Sequence, residues 1–529
     1  MTMDKKIYFE TNIVYDEYLL NRISEVKDYK KRKCIYDLKN FIYKTQTEGK
    51  VFILYGLRRT GKTTLMLQAI NEMSHDDFCK SVFIQITKKD TIGSLNRDLK
   101  KLDALGYKYI FIDEVTEMDD FIDCSSLLSD IHAACGMKIV LSGTNSLGFI
   151  FASQEQLYDR CYMLHTTYIP FIEFKNVLDI NDIDIYMQYG GTMCANGKNY
   201  NKSPFCDVKS CYAYTNSAIA INIQKTLENY QFGKFFDDLY ILYKKRELTN
   251  AINRIVEDMN HDIAIDVLVR DFKSHNLGIS RRNINNDDSI KTKILDHIDK
   301  MRVTQQFMEN LYITNNLPKK HEVSNDLIEQ IRRYLQAIDF LHYIKVYTIS
   351  DTKIKEMLPK AVFSQPGLRY CQAEALIRSI QADKNIDLFS EKDKKETFSR
   401  IMDEIKGRLL EEIVLYETKL AQKKREIFVL RFDLGGEFDM VSYDYEKNTC
   451  AIYEIKHSKA VDERQTIHLN NQEKCAKVEK YFGNIMGKFV VYRGENCDAY
   501  GVKYINVEKY LGDLWNQPKP GCAPGYCCS

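Results

Sequence analysis

Residues 51–68, VFILYGLRRTGKTTLMLQ, begin as an apolar run, tighten around two glycines and continue as an amphipathic stretch. A plain turn needs one or two flexible residues, yet Gly56 to Thr63 sets eight between a strand-like run and a helix-like one. The spacing Gly56-x4-Gly61-Lys62-Thr63 fits the phosphate-binding P-loop. In such a loop, consecutive backbone N–H groups and a helix N-terminus wrap an anion. Gly56, Leu57, Arg58, Arg59, Thr60, Gly61, Lys62, Thr63 and Thr64 are therefore the expected lining of a nucleoside triphosphate site. Lys62 would supply a mobile positive charge, and Thr63 a hydroxyl to a magnesium ion.

Residues 109–114, Tyr-Ile-Phe-Ile-Asp-Glu, read as a buried strand ending in two carboxylates. Paired negative charge is costly at the end of an apolar strand unless something binds it. The expectation is that Asp113 holds magnesium, directly or through water, and that Glu114 polarises the attacking water. One strand later, IVLSGTNS ends in Ser142, Thr144 and Asn145, and Asn145 is placed to sense the γ-phosphate or orient the water. The Asp113-Glu114 pair argues for an ATPase with a carboxylate base, and no guanine-specificity element is found. Arg160 reads either as a finger or sensor arginine or as a solvent-exposed or salt-bridged one.

Around these motifs, short apolar strands alternate with helices: SVFIQIT, YKYIFIDEV, a helix across FIDCSSLLSDIHAAC, then MKIVLSGT. That alternation implies α/β architecture, a parallel sheet covered on both faces, with ligands beyond the carboxyl ends of its strands. Residues 12–45, rich in Tyr, Leu, Ile and Lys, read as helix. From about 180 to 345 the pattern is mostly helical. There Leu327, Ile331, Leu335, Ile338 and Leu341 make one stripe, with Arg332 and Arg333 off it, either a packing helix or the helix of a winged helix.

A second chemistry is suggested near the far end. In LRFDLGGEFDMVSYDYEKNTCAIYEIKHSK, two strand-like runs flank a polar turn, with Glu437 and Asp439 two apart and Glu454 and Lys456 two apart. Each pair then projects from one face of its strand. If the strands are neighbours, Asp439 and Glu454 can hold magnesium while Lys456 positions or activates a hydrolytic water beside a phosphodiester. Glu411, in the helical GRLLEEIVLYETK, can point to the same metal. This is the residue set of PD-(D/E)XK nucleases.

The chain of 529 residues carries 44% hydrophobic and 28% charged residues at a net charge of +1, ordinary for a globular protein with no global field for nucleic acid. Its length suggests about three or four domains. Basic clusters at Lys30–Lys33, Lys244–Arg246 and Lys423–Arg425 read as solvated faces. The fifteen cysteines are scattered behind a start too charged for a secretory signal, so free thiols in reducing cytoplasm are expected. Cys194, Cys206, Cys211 and the tail cysteines 522, 527 and 528 lack paired zinc-ligand spacing. No run approaches the length of a membrane span.

Together, YGLRRTGKTTL, YIFIDEV, IVLSGTNS, YIPFIEF, YGGTM, FSQPGLRYCQAEAL, GRLLEEIV, GEFDMV and YEIKHS occur in an order that resembles a prokaryotic family of AAA-type ATP-binding proteins. That family is related to the archaeal ATPases and the STAND NTPases and carries a C-terminal PD-(D/E)XK-like domain. The resemblance covers about residues 25–460, departing where the family usually has proline and this chain has Thr192 and Met193. It implies an N-terminal helical segment (1–45), a P-loop ATPase domain (46–178), a helical lid with a winged-helix-like part (179–350), a PD-(D/E)XK nuclease-like domain (351–515) and a flexible tail (516–529). The expected function is ATP hydrolysis with Mg2+, the nucleotide state controlling a DNA-directed module in genome defence or mobile-element biology. The alternative is a switch that binds DNA or a regulatory protein without cutting. Expected partners are ATP, DNA and a regulatory protein, with no membrane and with an oligomer among the expected assemblies.

Overall fold

The computed structural model describes residues 8–43, 49–57, 60–144, 156–191, 339–367 and 391–516, with shorter pieces at 149, 152–153, 329, 332–333, 335–336, 369–370 and 374. Arg58, Arg59 and Asn145, most of the expected lid and winged-helix-like region with Thr192 and Met193, both cysteine groups and the tail beyond 516 lie outside the described residues.

The N-terminal half builds a six-stranded sheet. Its strands are β1 (Asn12–Val14), β2 (Val51–Tyr55), β3 (Ser81–Gln85), β4 (Tyr109–Asp113), β5 (Lys138–Gly143) and β6 (Cys161–His165). Its helices include α1 (Asp16–Ser24), α2 (Ile35–Tyr43), α3 (Lys62–Asn71) and α4 (Ile92–Ala104). The spatial order is β1-β3-β4-β5-β2-β6, all parallel except β1, which runs antiparallel along β3. Each face carries its own apolar core, one around Ile53, Ile112 and Leu141 and the other around Leu54, Phe83 and Phe111. That two-sided burial is why these strands read as continuous apolar runs. From β2 the chain crosses to β3, returns through β4 and β5, then passes to the other side of β2 as β6. The carboxyl end of β2 is thus a switch point, where such sheets bind ligands.

Two local expectations give way. Residues 12–14 are a strand rather than the start of a helix, because they cover the otherwise open edge of β3; the first helix starts at Asp16. The helix expected across residues 121–135 is broken into a short turn at Phe121–Cys124 and a π-helical stretch at Leu128–Ala133. Within the π-helical stretch Ser129 Oγ donates back to the Ser126 carbonyl (3.0 Å), the local competition by which serine disturbs a helix.

Beyond β6 come α5 (Phe171–Leu178) and α6 (Ile183–Tyr189). The C-terminal half contains β7 (Leu341–Ile349), β8 (Ile354–Glu356), β9 (Lys360–Phe363), the long α7 (Glu391–Ala421), β10 (Glu426–Phe432), β11 (Glu437–Asp444) and β12 (Thr449–Lys456). It ends with α8 (Gln472–Phe482), β13 (Asn484–Tyr492), β14 (Cys497–Ala499), β15 (Val502–Asn506) and α9 (Val507–Asn516). The sheet runs β14-β15-β13-β12-β11-β10-β7-β8, with β9 on β7. Its first strand therefore starts at Leu341, ten residues before the expected start of the C-terminal domain, because β7 pairs in parallel with β10. After α7, β10 to β12 form an antiparallel meander; α8 then returns the chain to β13, parallel to β12.

One face of this sheet packs on α8, through Ile452, Val490, Val478 and Phe482. The other face shares a single core with α5, α6, α7 and α9, including Phe171, Phe174, Tyr186, Leu410, Val414, Val491 and Leu511. Burying one such aromatic side chain contributes about 1.5–3 kcal/mol. The helices that leave the P-loop sheet are thus built into the C-terminal core. Glu417, fully buried on α7, accepts from the Phe171 N–H (2.7 Å), the Trp515 Nε1–H (3.0 Å) and the Tyr186 hydroxyl (3.5 Å), so one carboxylate joins α5, α6 and α9. Burial pushes its pKa from 4.5 to about 7, with these donors offsetting part of the rise.

A carboxyl whose pKa rises on folding stabilises fully below its unfolded value and loses that contribution as pH rises through its folded one. For Glu417 this spans 4.5 to about 7, a loss of roughly 3 kcal/mol. Melting temperatures measured from about pH 5 to pH 8 should fall more steeply for the native chain than for Glu417→Gln. Parallel slopes would show that this carboxyl does not titrate in the fold.

Candidate functional site

The P-loop leaves β2 at Gly56 and enters α3 at Lys62. Gly56 has φ +144°, and a Cβ there would stand 2.6 Å from Thr166 Oγ1 and 2.8 Å from the Thr167 nitrogen. Only glycine lets the loop pass under the end of β6. Gly61, with φ +87°, turns the backbone into the helix. Thr60 is buried, its hydroxyl donating to the Leu57 carbonyl (2.9 Å). Lys62 is folded back over the loop and donates to the Gly56 and Leu57 carbonyls at 2.8 and 2.9 Å. Thr63 Oγ1 donates to Asp113 Oδ2 at 2.7 Å, and Ser142 Oγ donates to Asp113 Oδ1. Burial, then the Glu114 charge, raises the Asp113 pKa, while both hydroxyls and Lys62 oppose the rise. Glu114 sits in the left-handed region (φ +57°), and its carboxylate accepts from the Thr144 N–H (3.2 Å) and Oγ1–H (3.0 Å). Ser142 on β5 and Thr144 just past its end therefore hold one carboxylate each.

Arg32 braces this loop from outside, in a way the sequence did not announce. Its buried guanidinium donates to the Thr60 (2.7 Å), Thr166 (3.1 Å) and Tyr168 (3.1 Å) carbonyls and to Glu173 on α5 (2.8 Å). Burial pulls the Arg32 pKa down, but Glu173 outweighs it, leaving the group firmly charged. Beside it lies a cavity of about 390 Å³ lined by Lys31, Arg32, Lys33, Tyr36, Ile172 and Val177 among others. Arg160, by contrast, is half exposed and paired with Asp130 at 2.6 Å.

The second candidate cluster stands at the carboxyl end of β12. Asp439 on β11 is buried; its Oδ2 accepts from the Ile455 N–H (2.7 Å) and from Lys456 Nζ (2.9 Å). Lys456 also reaches Glu454 at 2.7 Å, so one ammonium bridges both carboxylates. Burial would lower the Lys456 pKa, but Asp439 and Glu454 raise it overall. Burial, then the Asp439 charge, holds Glu454 well above the usual carboxylate range, with Lys456 opposing. Glu411 on α7 is paired with Lys360 at 3.1 Å; burial raises it to about 7, Lys360 opposes the rise and Asp439 adds to it. Among the described residues no group of three or more His, Cys, Asp or Glu side chains is arranged to hold a metal. The donor chemistry still fits a hard cation at both places. Asp113 and Thr63 offer adjoining oxygens, and Glu454 Oε1 is buried with no hydrogen-bond partner among the described residues.

With this geometry in view, comparison with known proteins is informative for the first site. Residues 48–175 match the family model of the AAA domain. An uncharacterised protein of Methanocaldococcus jannaschii, MJ1544, is 24% identical over 464 residues, covering 79% of this chain and 96% of that one. Among solved structures, Saccharomyces cerevisiae Hsp104 in its extended casein complex overlays with a TM-score of 0.25 at 12% identity, over 40% of each chain. Aeropyrum pernix ORC1 in complex with DNA overlays with a TM-score of 0.22 at 11% identity, over 67% of this chain and 92% of that one. The chain thus spans about two-fifths of the Hsp104 chain it matches. At such scores the overlays carry no argument, and the AAA-type ATPase domain rests on the family match and the P-loop sheet.

Of the residues expected in the AAA domain, Gly56, Leu57, Thr60, Gly61, Lys62, Thr63, Thr64, Asp113 and Glu114 gather at the switch point of the sheet. In the C-terminal cluster Asp439, Glu454 and Lys456 touch one another, while Glu411 is held by Lys360 instead. The sequence reading missed Arg32, Glu173, Lys360 and the hold of Thr144 on Glu114. No motif marks any of them; Arg32 lies in the Lys30–Lys33 cluster expected to be a solvated face, but Glu173 and the P-loop carbonyls bury it.

Gly56→Ala should force Thr166 and Thr167 away from β2, costing roughly 1–3 kcal/mol as overpacking does. ATP affinity should fall with it. Native melting temperature and native affinity in this variant would mean that the loop approaches β6 less closely.

Proposed function

We propose that this chain is a magnesium-dependent ATPase whose nucleotide state controls a C-terminal, nuclease-like, DNA-directed module, in genome defence or mobile-element biology. The observation that carries the ATPase part is the pair Asp113–Glu114, each carboxylate seated by a separate hydroxyl of β5 or its end, with Thr63 in contact with Asp113. On this reading backbone N–H groups of the P-loop wrap the phosphates, and Lys62 exchanges its loop carbonyls for phosphate oxygens. Thr63 and Asp113 would hold a magnesium ion, which when bound would neutralise developing phosphate charge. Thr144 aims Glu114 at the attacking water, and Asn145 follows directly in sequence as a second water- or phosphate-contacting group.

Control of the second module is supported by a continuous run of contacts. Arg32 binds the P-loop and Glu173 of α5 together, and α5 and α6 lie in the C-terminal core. At the start of α6, Asp184 accepts from His457 (2.7 Å) and Arg493 (2.6 Å), immediately beside Lys456. A nucleotide that moves the loop relative to Arg32 thereby acts on the strand end that carries Glu454 and Lys456. Cutting is supported by the convergence of Asp439, Glu454 and Lys456 and by the Glu454 oxygen left without a partner among the described residues. Asp439 and Glu454 would hold magnesium there, with Glu411 joining only after release from Lys360. The second reading, a switch that binds DNA or a regulatory protein without cutting, is favoured by the Lys456 ammonium already bridging the two carboxylates and by the Lys360–Glu411 pair.

Lys62→Ala should weaken ATP binding at least ~100-fold, since each lost charge-assisted bond is worth about 1.5–3 kcal/mol. Glu114→Gln should bind ATP as the native chain does while turnover drops roughly 10²–10⁴-fold. Equilibrium binding and steady-state phosphate release separate the two, and unchanged turnover in Glu114→Gln would remove that residue from the chemistry.

Asp439→Ala tests the cluster at β12. Clustered carboxylates repel one another unless a cation lies between them. The variant should therefore lose magnesium-dependent nicking of supercoiled DNA and lose any rise of melting temperature with magnesium, while ATP turnover stays native. A native chain that nicks nothing, together with a variant that melts lower with or without magnesium, leaves the non-cutting switch.

A further inference from the structure

On the α8 face of the C-terminal sheet, the turn between β10 and β11 meets two side chains that none of the roles above uses. Lys474, in the first turn of α8, donates to the Gly435 carbonyl at 2.8 Å and lies 4.9 Å from the centre of the Phe432 ring. Its Nζ is also 3.0 Å from His468 Nδ1. An ammonium can only donate, so Nδ1 is the acceptor and the ring proton sits on Nε2. Gly436, with φ +87°, lets both side chains come this close: a Cβ there would stand 2.3 Å from Lys474 Nζ and 2.9 Å from His468 Nε2. The next residues along β11 are Glu437 and, two further on, Asp439.

Neither group is spent on a carboxylate. Among the described residues Lys474 has no ion pair, although Lys477, one turn on, has two. Burial lowers the Lys474 pKa, with Glu454 acting in the opposite direction. His468 is lowered first by burial and then by Lys474 and Lys456, which favours the neutral ring with its Nε2–H. A cation and a neutral N–H donor thus stand together beside the acidic cluster, on its face of the sheet. Acidic residues there would repel a polyanion, and a pair of donors at their rim offsets that repulsion at one phosphate.

We propose that Lys474 and His468 form a phosphate-binding subsite that seats one backbone phosphate of a nucleic-acid strand beside the Asp439–Glu454–Lys456 cluster. The subsite rests on the DNA-directed reading above but not on cutting. Gly436 keeps it open, and Phe432 and the Gly435 carbonyl fix the lysine.

The test is equilibrium binding of a fluorescent duplex oligonucleotide to the full-length chain, in chelator so that no cleavage intervenes, over a series of salt concentrations. Lys474→Gln should weaken binding several-fold and reduce the slope of log affinity against log salt by about one, as loss of one phosphate contact does. Lys474→Arg should keep the slope, and His468→Ala should weaken binding while leaving the slope nearly native. Melting temperatures of all variants within a few degrees of native separate contact loss from unfolding. A native slope in Lys474→Gln overturns the subsite while the DNA-directed reading stands. No binding by the native chain overturns both. Loss of slope in a chain that never nicks DNA with magnesium supports the subsite and rejects cutting.

Discussion

The Arg32 guanidinium is the contact on which the rest of the architecture depends. It lies buried between the P-loop, the exit of β6 and the first turn of α5, giving hydrogen bonds to carbonyls of the first two and an ion pair to the third. A buried arginine without a carboxylate is strongly unfavourable, so Arg32 and Glu173 require one another. Glu173 also takes the Lys33 N–H at 2.8 Å, which fixes the N-terminal segment over the loop. The pair sets the level at which α5 leaves the sheet, and that helix is where the C-terminal core begins.

Each half of the chain concentrates negative charge at a strand end, and each relieves it differently. At β4 the relief is neutral: hydroxyls of Thr63, Ser142 and Thr144 hold Asp113 and Glu114. Hydroxyls can turn away as a cation or water arrives, which suits a site that must bind and release. At β12 the relief is ionic: Lys456 lies between Asp439 and Glu454, and Lys360 against Glu411. A cation entering there would have to displace the Lys456 ammonium from the two carboxylates. The same arrangement holds the carboxylates together in the folded chain.

The junction between the halves is an apolar core crossed by a few buried carboxylates. Glu417 takes N–H donors from α5 and α9 on one carboxylate, and Asp184 pairs with His457 and Arg493 on the strands next to the cluster. Burial pushes Asp184 up, but His457 and Arg493 outweigh it and keep the carboxylate charged.

The local chemistry of this protein was legible in its sequence. The P-loop spacing, the Asp113–Glu114 strand end and the Glu454-x-Lys456 pair depend on residues near one another in the chain, where 3.6- and 2-residue periods decide which side chains share a face. Strand β1 escaped that reading because three residues pair with an edge that lies 70 residues away. The start of the C-terminal sheet at Leu341 escaped it because β7 is placed by β10, across a long stretch of intervening chain. Arg32 with Glu173, Lys360 with Glu411 and Lys474 with His468 have no spacing to betray them. Each is a cation brought to its partner only by packing, and burial then decides whether that partner is charged, shared or held in reserve. Residue type and order set which side chains share a strand end, while the tertiary structure decided which carboxylates are already paired with a cation, because those cations come from distant parts of the chain.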